Sequence, residues 1–176
     1  MQFDEVLRTF AAFFERENIP YAVIGGLAMQ AWGSSRFTKD VDFVVPRAHR
    51  EHVVAFAESA GYETLHVSAS HSNHLHAEKQ FGRVDVMYVD DATAARIFAG
   101  AEPRAIVGTV ELPVARPEHL AMMKGLAMKA DQDRVRFEAE DVRLLINLAG
   151  VDREAVREYF RRHGMLDLYN AIERAR

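Results

Sequence analysis

The chain has 176 residues, a length that fits one domain or a catalytic domain with a small helical extension. Apolar residues make up 49% of it, its formal net charge is −4, and it has no cysteine. Disulfides and thiolate metal sites are therefore excluded, and the acidic charge argues against a general nucleic-acid coat protein. No run approaches the ~18 apolar residues of a membrane span, and the first ten residues mix acids with arginine, unlike a signal peptide. We expect a cytoplasmic protein with no membrane partner.

The first elements alternate between helix and strand. An apolar stripe at helical spacing predicts an amphipathic helix that ends near Asn18, before Pro20. The stretch YAVIGG predicts a short buried strand that runs into Gly25 and Gly26, and LAMQAW predicts a brief apolar helix. VDFVV, directly after Asp40, predicts a second strand.

Further strands and helices follow in the middle of the chain. An apolar face over Val53–Ala60 predicts a helix that Gly61 ends. Three strands are predicted from YETLHV, HLHAEKQ and RVDVMYV, with a hairpin turn at Phe81-Gly82 between the last two. A short helix near Ala92–Ala99 precedes two β-rich pieces, RAIV and TVELPV, and the pattern is helical from Pro117 onwards.

This order of elements predicts an α/β (α+β) fold with a mixed β-sheet and flanking helices, followed by a C-terminal helical bundle. We expect a catalytic core in residues 1–115 and a helical region in residues 116–176, with the boundary between Gly100 and Pro117. Because the helical region is short, we expect it to pack on the core rather than fold alone.

Two aspartates in the second strand are the first candidates for chemistry. Residues two apart in a strand point to the same side, so Asp40 and Asp42 bring two carboxylates together. Two carboxylates within ~4 Å repel by about 4 kcal/mol at an effective dielectric constant of 20, and such a pair needs a cation. Oxygen ligands suit Mg²⁺, with Mn²⁺ as the alternative. The pair therefore predicts a divalent-cation site.

A glycine pair upstream predicts a phosphate site beside that cation. Gly25 and Gly26 lie between a strand and the start of a helix, where glycine lets a phosphate approach the backbone closely. The first free N–H groups of the helix then supply donors for the negative charge. A metal held next to this phosphate is what in-line phosphoryl chemistry requires.

The stretch resembles the signature of the nucleotidyltransferase superfamily, which has a DNA-polymerase-beta-like fold: Gly-Gly after a strand, an intervening segment, and then Asp-Val-Asp. The longer string GGLAMQAWGSSRFTKDVD is similar to the bacterial AbiEii-type branch, where Arg-x-Thr-Lys-Asp-x-Asp is usual and which includes toxins of toxin–antitoxin systems. The resemblance implies that Arg36, Thr38 and Lys39 contact the nucleotide. Loop charges without a ligand are the alternative for Arg36 and Lys39.

The superfamily implies a third carboxylate on a later strand of the same sheet. Asp85, between valines in RVDVMYV, matches that position, whereas Asp90 and Asp91 are expected in a turn at the strand's end. By resemblance, Asp85 completes a metal site with Asp40 and Asp42 and helps to deprotonate the acceptor hydroxyl. A solvent-facing strand residue is the alternative for Asp85.

Two charged residues interrupt apolar faces in the helical region. Lys124 lies among Leu120, Met123 and Ala127, and a buried lysine is costly unless it finds an anion such as a nucleotide phosphate. Asp141 interrupts a stripe that we expect to be formed by Phe137, Leu144 and Leu148. The AbiEii-type branch carries a Lys and then an Asp on consecutive C-terminal helices, which implies nucleotide binding by Lys124 and Asp141, with Lys129 and Glu138 as second candidates. A snorkelling lysine and a surface acid paired with Arg136 or Arg143 are the alternatives.

Some features depart from the family or compete with this site. Many superfamily members place a serine at or just beyond the glycine pair, where this chain has Gly26 and Leu27, and Ser34 or Ser35 could replace it. A zinc site is the competing interpretation of His71, His74 and His76, but ASHSNH has the composition of a polar loop, and we expect these histidines to line a cleft or to be exposed. Neither G-x-G-x-x-G nor a P-loop motif occurs.

We therefore expect a Mg²⁺-dependent nucleotidyltransferase that moves a nucleoside monophosphate from a nucleoside triphosphate to an acceptor hydroxyl and releases pyrophosphate. The acceptor could be tRNA, a protein or a small molecule. As the toxin of a toxin–antitoxin system, the chain would have an antitoxin protein as partner. The alternatives are a non-catalytic binding module with the same fold and an antibiotic nucleotidyltransferase.

Overall fold

The computed structural model describes residues 1–175, and the chain divides into two compact units, Met1–Ala115 and Arg116–Arg176. The first unit contains the helices α1 (Phe3–Arg16), α2 (Gly25–Ala31), α3 (Arg50–Ser59) and α4 (Asp91–Gly100). Its strands are β1 (Ala22–Ile24), β2 (Asp40–Pro46), β3 (Tyr62–Val67), β4 (His71–His76), β5 (Arg83–Val89), β6 (Glu102–Val107) and β7 (Val110–Val114). The second unit contains α5 (Pro117–Ala130), α6 (Val135–Ile146), α7 (Arg153–Arg162) and α8 (Leu166–Arg174). The predicted α/β class, with a mixed sheet and helices, is confirmed.

The seven strands form one mixed sheet in the order β3-β4-β5-β2-β1-β7-β6. Strand β2 pairs in parallel with β5 and antiparallel with β1, and β1 pairs in parallel with β7. The pairs β3–β4, β4–β5 and β6–β7 are antiparallel. Strand β2 is therefore central, and the side chains of β2 and β5 alternate in phase between the two faces of the sheet.

Aromatic side chains of α1 fill one face of this sheet. Acidic residues in the first turn and Arg16 in the last complement the helix dipole. Phe10 is fully buried, stacks on Phe43 of β2 and meets Phe56 of α3 edge-on. Truncating a buried phenylalanine to alanine costs roughly 3–5 kcal/mol, so this cluster fixes α1 and α3 on the sheet.

Strand β2 separates an apolar face from a polar one, as its alternation predicts. Val41, Phe43 and Val45 are fully buried. Asp40 and Asp42 alternate with Val41 and Phe43, lie on the opposite face and are partly exposed. The two aspartates are thus presented side by side by a strand whose other face is anchored in the core.

One predicted strand is shifted along the chain. The sequence predicts a strand over HLHAEKQ and a loop before it, but β4 spans His71–His76 and the chain turns directly afterwards. The polar composition of β4 is misleading because its buried polar side chains satisfy one another. His74 Nδ1 lies 3.1 Å from Thr64 Oγ1, its Nε2 lies 2.7 Å from Ser72 Oγ, and Ser72 Oγ is 2.7 Å from the hydroxyl of Tyr88.

The four helices of the second unit have their own core. Leu120 of α5, Val142 and Leu145 of α6, and Phe160 of α7 are almost completely buried. Gly125 lets α7 approach, because a Cβ there would lie 2.5 Å from Cζ of Phe160. None of the helices in residues 1–175 has the length and apolarity needed to cross a membrane.

Candidate active site

Three carboxylates and one guanidinium form a compact array on the polar face of β2 and β5. The parallel register places Asp40 opposite Arg83 and Asp42 opposite Asp85. Neighbouring strands lie roughly 4.8 Å apart, so residues in register on one face are in contact range. The structure therefore brings together the three aspartates that the sequence singled out, and adds an arginine to them.

Asp85 is held by two donors from two strands. Arg83 Nε donates to Asp85 Oδ1 at 2.7 Å, and Asn73 Nδ2 of β4 donates to the same oxygen at 2.8 Å. Among residues 1–175, no hydrogen bond reaches Oδ2 of Asp85. The side chain of Asp85 is thus fixed in direction, with one oxygen bound and the other available.

The charged form of Asp40 is disfavoured by its surroundings in the array. Burial and, after it, the neighbouring charge of Asp85 raise the pKa of Asp40, while Arg83 and Lys39 act in the opposite direction. Within residues 1–175, the carboxylate of Asp40 makes no hydrogen bond or salt bridge. A carboxyl group whose charged form is disfavoured in this way is one that a bound cation would stabilise.

The position of Asp42 requires that residue 25 be a glycine, which has no side chain. Gly25 opens α2 with φ +65°, and a Cβ built on it would lie 2.1 Å from Asp42 Oδ2. The first glycine of the pair therefore gives space to the aspartate itself, a role that the phosphate argument does not predict. The cap residue Ile24 offers no side chain to the first N–H groups of α2, which keeps backbone donors available for an anion.

The second glycine makes space for Thr38. A Cβ on Gly26 would lie 2.5 Å from both Cβ and Oγ1 of Thr38. The loop between α2 and β2 is tied back by Gln30, whose Nε2 donates to the carbonyl of Arg36 at 2.8 Å. Arg36 and Lys39 are exposed on this loop, close in sequence to the carboxylates. Ser34 accepts from the amide of Arg36 and is part of the loop's own bonding.

The donor set suits a hard divalent cation, within a limit set by the geometry. Carboxylate oxygens are the ligands that Mg²⁺ prefers, and Asp40 and Asp42 offer two of them. Among residues 1–175, however, no group of three acidic or histidine side chains is arranged to hold a metal ion. Asp85 differs from Asp40 because it forms a salt bridge with Arg83. The residues present therefore fit a cation on Asp40 and Asp42.

Lys124 has carboxylate partners inside the second unit. Its Nζ lies 2.5 Å from Glu138 Oε2 and 2.7 Å from Asp141 Oδ2, and all three side chains are about nine-tenths buried. Arg134 also binds Glu138, at 2.5 Å. Burial raises the pKa of Glu138, but the positive charges of Lys124 and Arg134 outweigh burial and hold it below its usual range. The expected need for an anion is thus already met by this ion cluster.

The face of α6 that carries Asp141 differs from the expected one. Phe137, predicted to share its apolar stripe, is 63% exposed, whereas Glu138, Val142 and Leu145 are buried with Asp141. The stripe is rotated because Lys124 draws two carboxylates inwards. Lys129 donates to the backbone carbonyl of His163 and lies outside this cluster.

The three histidines are separated in the structure. His74 is completely buried, whereas the sequence predicts a cleft-lining or exposed residue. Burial also lowers the pKa of His74. His71 is exposed and stacks on His66, while His76 meets Tyr62 and Phe81 edge-on. Within residues 1–175, these histidines join no three-ligand metal group.

Sequence reasoning misses Arg83 and Asn73, which bind Asp85, and it misplaces Asp90 and Asp91. Arg83 could have been found, because it lies two positions before Asp85 and so shares its strand face. Asn73 could not, because the composition of its segment predicts a loop. The sequence predicts Asp90 and Asp91 in a turn, but Asp90 caps α4 by accepting from the amide of Thr93 at 2.8 Å, and Asp91 begins that helix.

Comparisons with known proteins place this geometry in a known fold. No family model and no curated protein matches the chain. Solved structures do, at low identity. The crystal structure of ANT(2'')-Ia in complex with adenylyl-2''-tobramycin has a TM-score of 0.70 and 18% identity over 93% of this chain and 99% of that one.

Two further structures agree. The lincosamide antibiotic adenylyltransferase LnuA, lincomycin-bound, has a TM-score of 0.54 and 17% identity over 81% of this chain and 96% of that one. An antigenic nucleotidyltransferase-like protein from Paracoccidioides brasiliensis has a TM-score of 0.58 and 16% identity over 97% and 91%. The chain therefore has the fold of these nucleotidyltransferases.

Proposed function

We propose that the chain is a divalent-cation-dependent nucleotidyltransferase. It moves a nucleoside monophosphate from a nucleoside triphosphate to an acceptor hydroxyl and releases pyrophosphate. The observation that carries this proposal is the array itself, in a fold shared with nucleotidyltransferases: Asp42 on β2 lies in register beside Asp85 on β5, and Asp40 lies two residues before Asp42 on the same face.

Each part of the array has a role in this reaction. Asp40 and Asp42 hold the cation, which is Mg²⁺ or Mn²⁺ and which, when bound, polarises the phosphate and neutralises its charge. Gly25 and Gly26 begin α2, whose first backbone N–H groups donate hydrogen bonds to phosphate oxygens. Arg36, Thr38 and Lys39 lie on the adjacent loop and add polar and positive groups towards the triphosphate.

Asp85 is the group that acts on the acceptor. Its Oδ1 is bound by Arg83 and Asn73, so its direction is fixed before any substrate arrives. Oδ2 then accepts the proton of the attacking hydroxyl, which is general-base catalysis by a positioned carboxylate. The reaction balances because the hydroxyl oxygen forms a bond to the α-phosphorus as pyrophosphate leaves.

A small molecule is the favoured acceptor. One neighbour is described with an adenylylated tobramycin and another with lincomycin, both small antibiotics. The similarity to ANT(2'')-Ia covers almost all of this chain and of that one, including the region beyond the sheet. Antibiotic nucleotidyl transfer is therefore the first activity to test, with ATP as the first donor.

A second candidate is the toxin of a toxin–antitoxin system. The string from Gly25 to Asp42, and especially Arg36-Phe37-Thr38-Lys39-Asp40, is similar to the AbiEii-type branch. The acceptor would then be tRNA or a protein side chain, and an antitoxin protein would be a partner. Lys124 and Asp141 are nucleotide-binding candidates under the same resemblance.

The test is transfer of label from each α-³²P-labelled triphosphate with Mg²⁺ or Mn²⁺. Separate reactions contain a panel of aminoglycosides and lincosamides, total tRNA, or cell extract, and Asp40→Asn/Asp42→Asn protein is the control. Label on an antibiotic supports the first candidate, and label on tRNA or protein supports the second. Metal-dependent nucleotide binding without any transfer, or neither, identifies a non-catalytic module and contradicts the proposal.

A further inference from the structure

The carboxylate array contains a cation supplied by the chain itself. Arg83 lies opposite Asp40 in the β2–β5 register and two residues before Asp85, so it shares the face of all three aspartates. Its guanidinium is part of the array, with 41% of the side chain exposed, and its Nε binds Asp85. No feature of the sequence motif calls for an arginine at this point.

Arg83 and Asn73 together bind one oxygen of Asp85 and supply a positive charge to its carboxylate. Both donate to Oδ1, one from the same strand and one from the adjacent β4. Two divalent cations in one site lie about 3.5–4 Å apart, so they need carboxylate charge around them to offset their repulsion. Here the third carboxylate is already paired with a guanidinium and an amide.

A guanidinium and a second divalent cation oppose each other beside Asp85. Both are positive, Arg83 is already in contact with the carboxylate, and an arginine cannot lose its charge at accessible pH. The Arg83–Asp85 contact at 2.7 Å is a charge-assisted hydrogen bond of the strong kind. Asp40 makes no such bond to Arg83, so the first cation can bind at Asp40 together with Asp42.

We propose that Arg83 occupies the place of a second divalent cation, so that the chain binds one divalent cation per triphosphate, on Asp40 and Asp42. Asp85 stays on Arg83 and Asn73 throughout. This inference rests on the proposed function and adds to it the number of cations and the residue that sets this number.

The experiment counts Mn²⁺ and a non-hydrolysable triphosphate analogue per chain by equilibrium dialysis, with electron paramagnetic resonance to detect coupling between two neighbouring Mn²⁺ ions. The wild-type chain is expected to bind one analogue and one Mn²⁺ without coupling. Arg83→Met is expected to bind a second Mn²⁺ with a coupled signal. Arg83→Lys, which keeps the charge, and Arg47→Met, which removes an exposed arginine next to β2, are expected to stay at one.

The outcomes separate this inference from the proposed function. Two coupled Mn²⁺ ions on the wild-type chain overturn the inference and leave the proposed function intact. A folded Arg83→Met protein that still binds a single Mn²⁺ also overturns it, because another group then sets the number. No binding of either Mn²⁺ or analogue by the wild-type chain overturns the proposed function and this inference with it. If Arg83→Met does not fold, the number of Mn²⁺ ions bound by the wild-type chain tests the inference by itself: one ion supports it and two coupled ions overturn it.

Discussion

Asp42 occupies the space where residue 25 would carry its Cβ. The distance from that Cβ to Asp42 Oδ2 would be 2.1 Å, shorter than any non-bonded contact. The glycine that starts α2 and the aspartate in β2 are therefore one structural feature, although the whole of α2 and the loop after it lie between them in the chain. Changing either one moves the other.

Gly25→Ala should abolish metal-dependent nucleotide binding. The new methyl group displaces Asp42, and the left-handed backbone adds about 1–2 kcal/mol of strain. Gly108→Ala is the matched control, because Gly108 also has a positive φ but nothing lies within 4 Å of its Cβ position. Urea unfolding should show the strain in both variants, whereas calorimetric titration with Mg²⁺ and ATP should fail only for Gly25→Ala. Normal binding by Gly25→Ala would contradict the geometry of the array.

Asp40→Asn should stabilise the metal-free protein at neutral pH. Because the folded pKa of Asp40 is raised above its unfolded value, the native state loses stability as the pH rises through that pKa and stays less stable above it. The advantage of the amide variant should therefore be present at pH 7, shrink as the pH falls through the raised pKa of Asp40, and be lost below the unfolded value of about 4. Unfolding free energies in urea at both pH values, with a chelator present, measure it.

Asp90→Asn provides a comparison of opposite sign for that experiment. Hydrogen bonds from Thr93 hold the pKa of Asp90 below its usual range. Loss of the Asp90 charge should lower the free energy of unfolding at pH 7, and this cost should shrink on acidification. If Asp40→Asn and Asp90→Asn show the same pH trend, the electrostatic account of Asp40 is wrong.

Asp40→Asn with Asp42→Asn should keep the fold and lose the ligand. Both side chains lie on the polar face of β2, so neutral amides of the same size leave the core intact. Melting curves of the wild type should shift upwards with Mg²⁺ and triphosphate, by an amount that grows with ligand concentration. The double variant should melt normally and show no shift. A preserved shift would remove these two residues from the metal site.

Lys124→Met should destabilise the second unit by about 3–5 kcal/mol, because it leaves two buried carboxylates without their shared cation. The cost should fall on acidification, since the positive charges that hold the pKa of Glu138 low are reduced in this variant and Glu138 can take up a proton. Lys129→Met is the matched control, because Lys129 is exposed and donates to a backbone carbonyl, and it should cost less than about 0.5 kcal/mol. Equal costs for the two lysines would contradict the ion cluster.

The same pair of variants tests nucleotide binding by Lys124. The sequence-based prediction requires that Lys124→Met weaken triphosphate binding. Lys124→Met combined with Asp141→Leu and Glu138→Gln removes the charges together and should recover part of the stability. Nucleotide affinity is best measured on this recovered protein. Unchanged affinity there would leave the three residues with a purely structural role.

Asp85→Asn should separate binding from chemistry. The amide oxygen of the variant can still accept from Asn73, and Asp40 and Asp42 are untouched, so triphosphate affinity should stay within roughly tenfold of the wild type. The transfer rate should fall by roughly 10²–10⁴-fold with the loss of the general base. Asp90→Asn, a change of the same kind at an exposed helix cap, should leave the rate unchanged. Transfer by Asp85→Asn at the wild-type rate would place the base elsewhere.

The fold could be predicted largely because its signals are local. The α1 stripe, the glycine pair and the alternation in β2 and β5 each depend on side chains within one element. Strand β4 is misplaced by sequence reasoning because its stability comes from partners in β3 and β5. A string of serine and histidine becomes strand-like only when Thr64 and Tyr88 supply its hydrogen bonds.

The sequence predicts the acidic residues of the site better than the positive groups that pair with the acids. Alternation along one strand pairs Asp40 with Asp42, and a motif adds Asp85. Arg83 as the partner of Asp85 follows from the same alternation along one strand, although the motif does not point to it. Lys124 as the partner of Glu138 and Asp141 depends on the packing between helices and emerged only from the structure.

The parallel pairing of β2 with β5 also has a consequence for how the protein acquires activity. The two strands are joined by the whole segment 47–82, which forms α3, β3 and β4, and β5 lies between β4 and β2 in the finished sheet. A slip of one residue in the β2–β5 pairing would turn Asp85 into the core and bring Val84 or Val86 to the surface. A nascent chain or fragment that ends before residue 83 thus carries the whole glycine and Asp-Val-Asp motif and still lacks the carboxylate array.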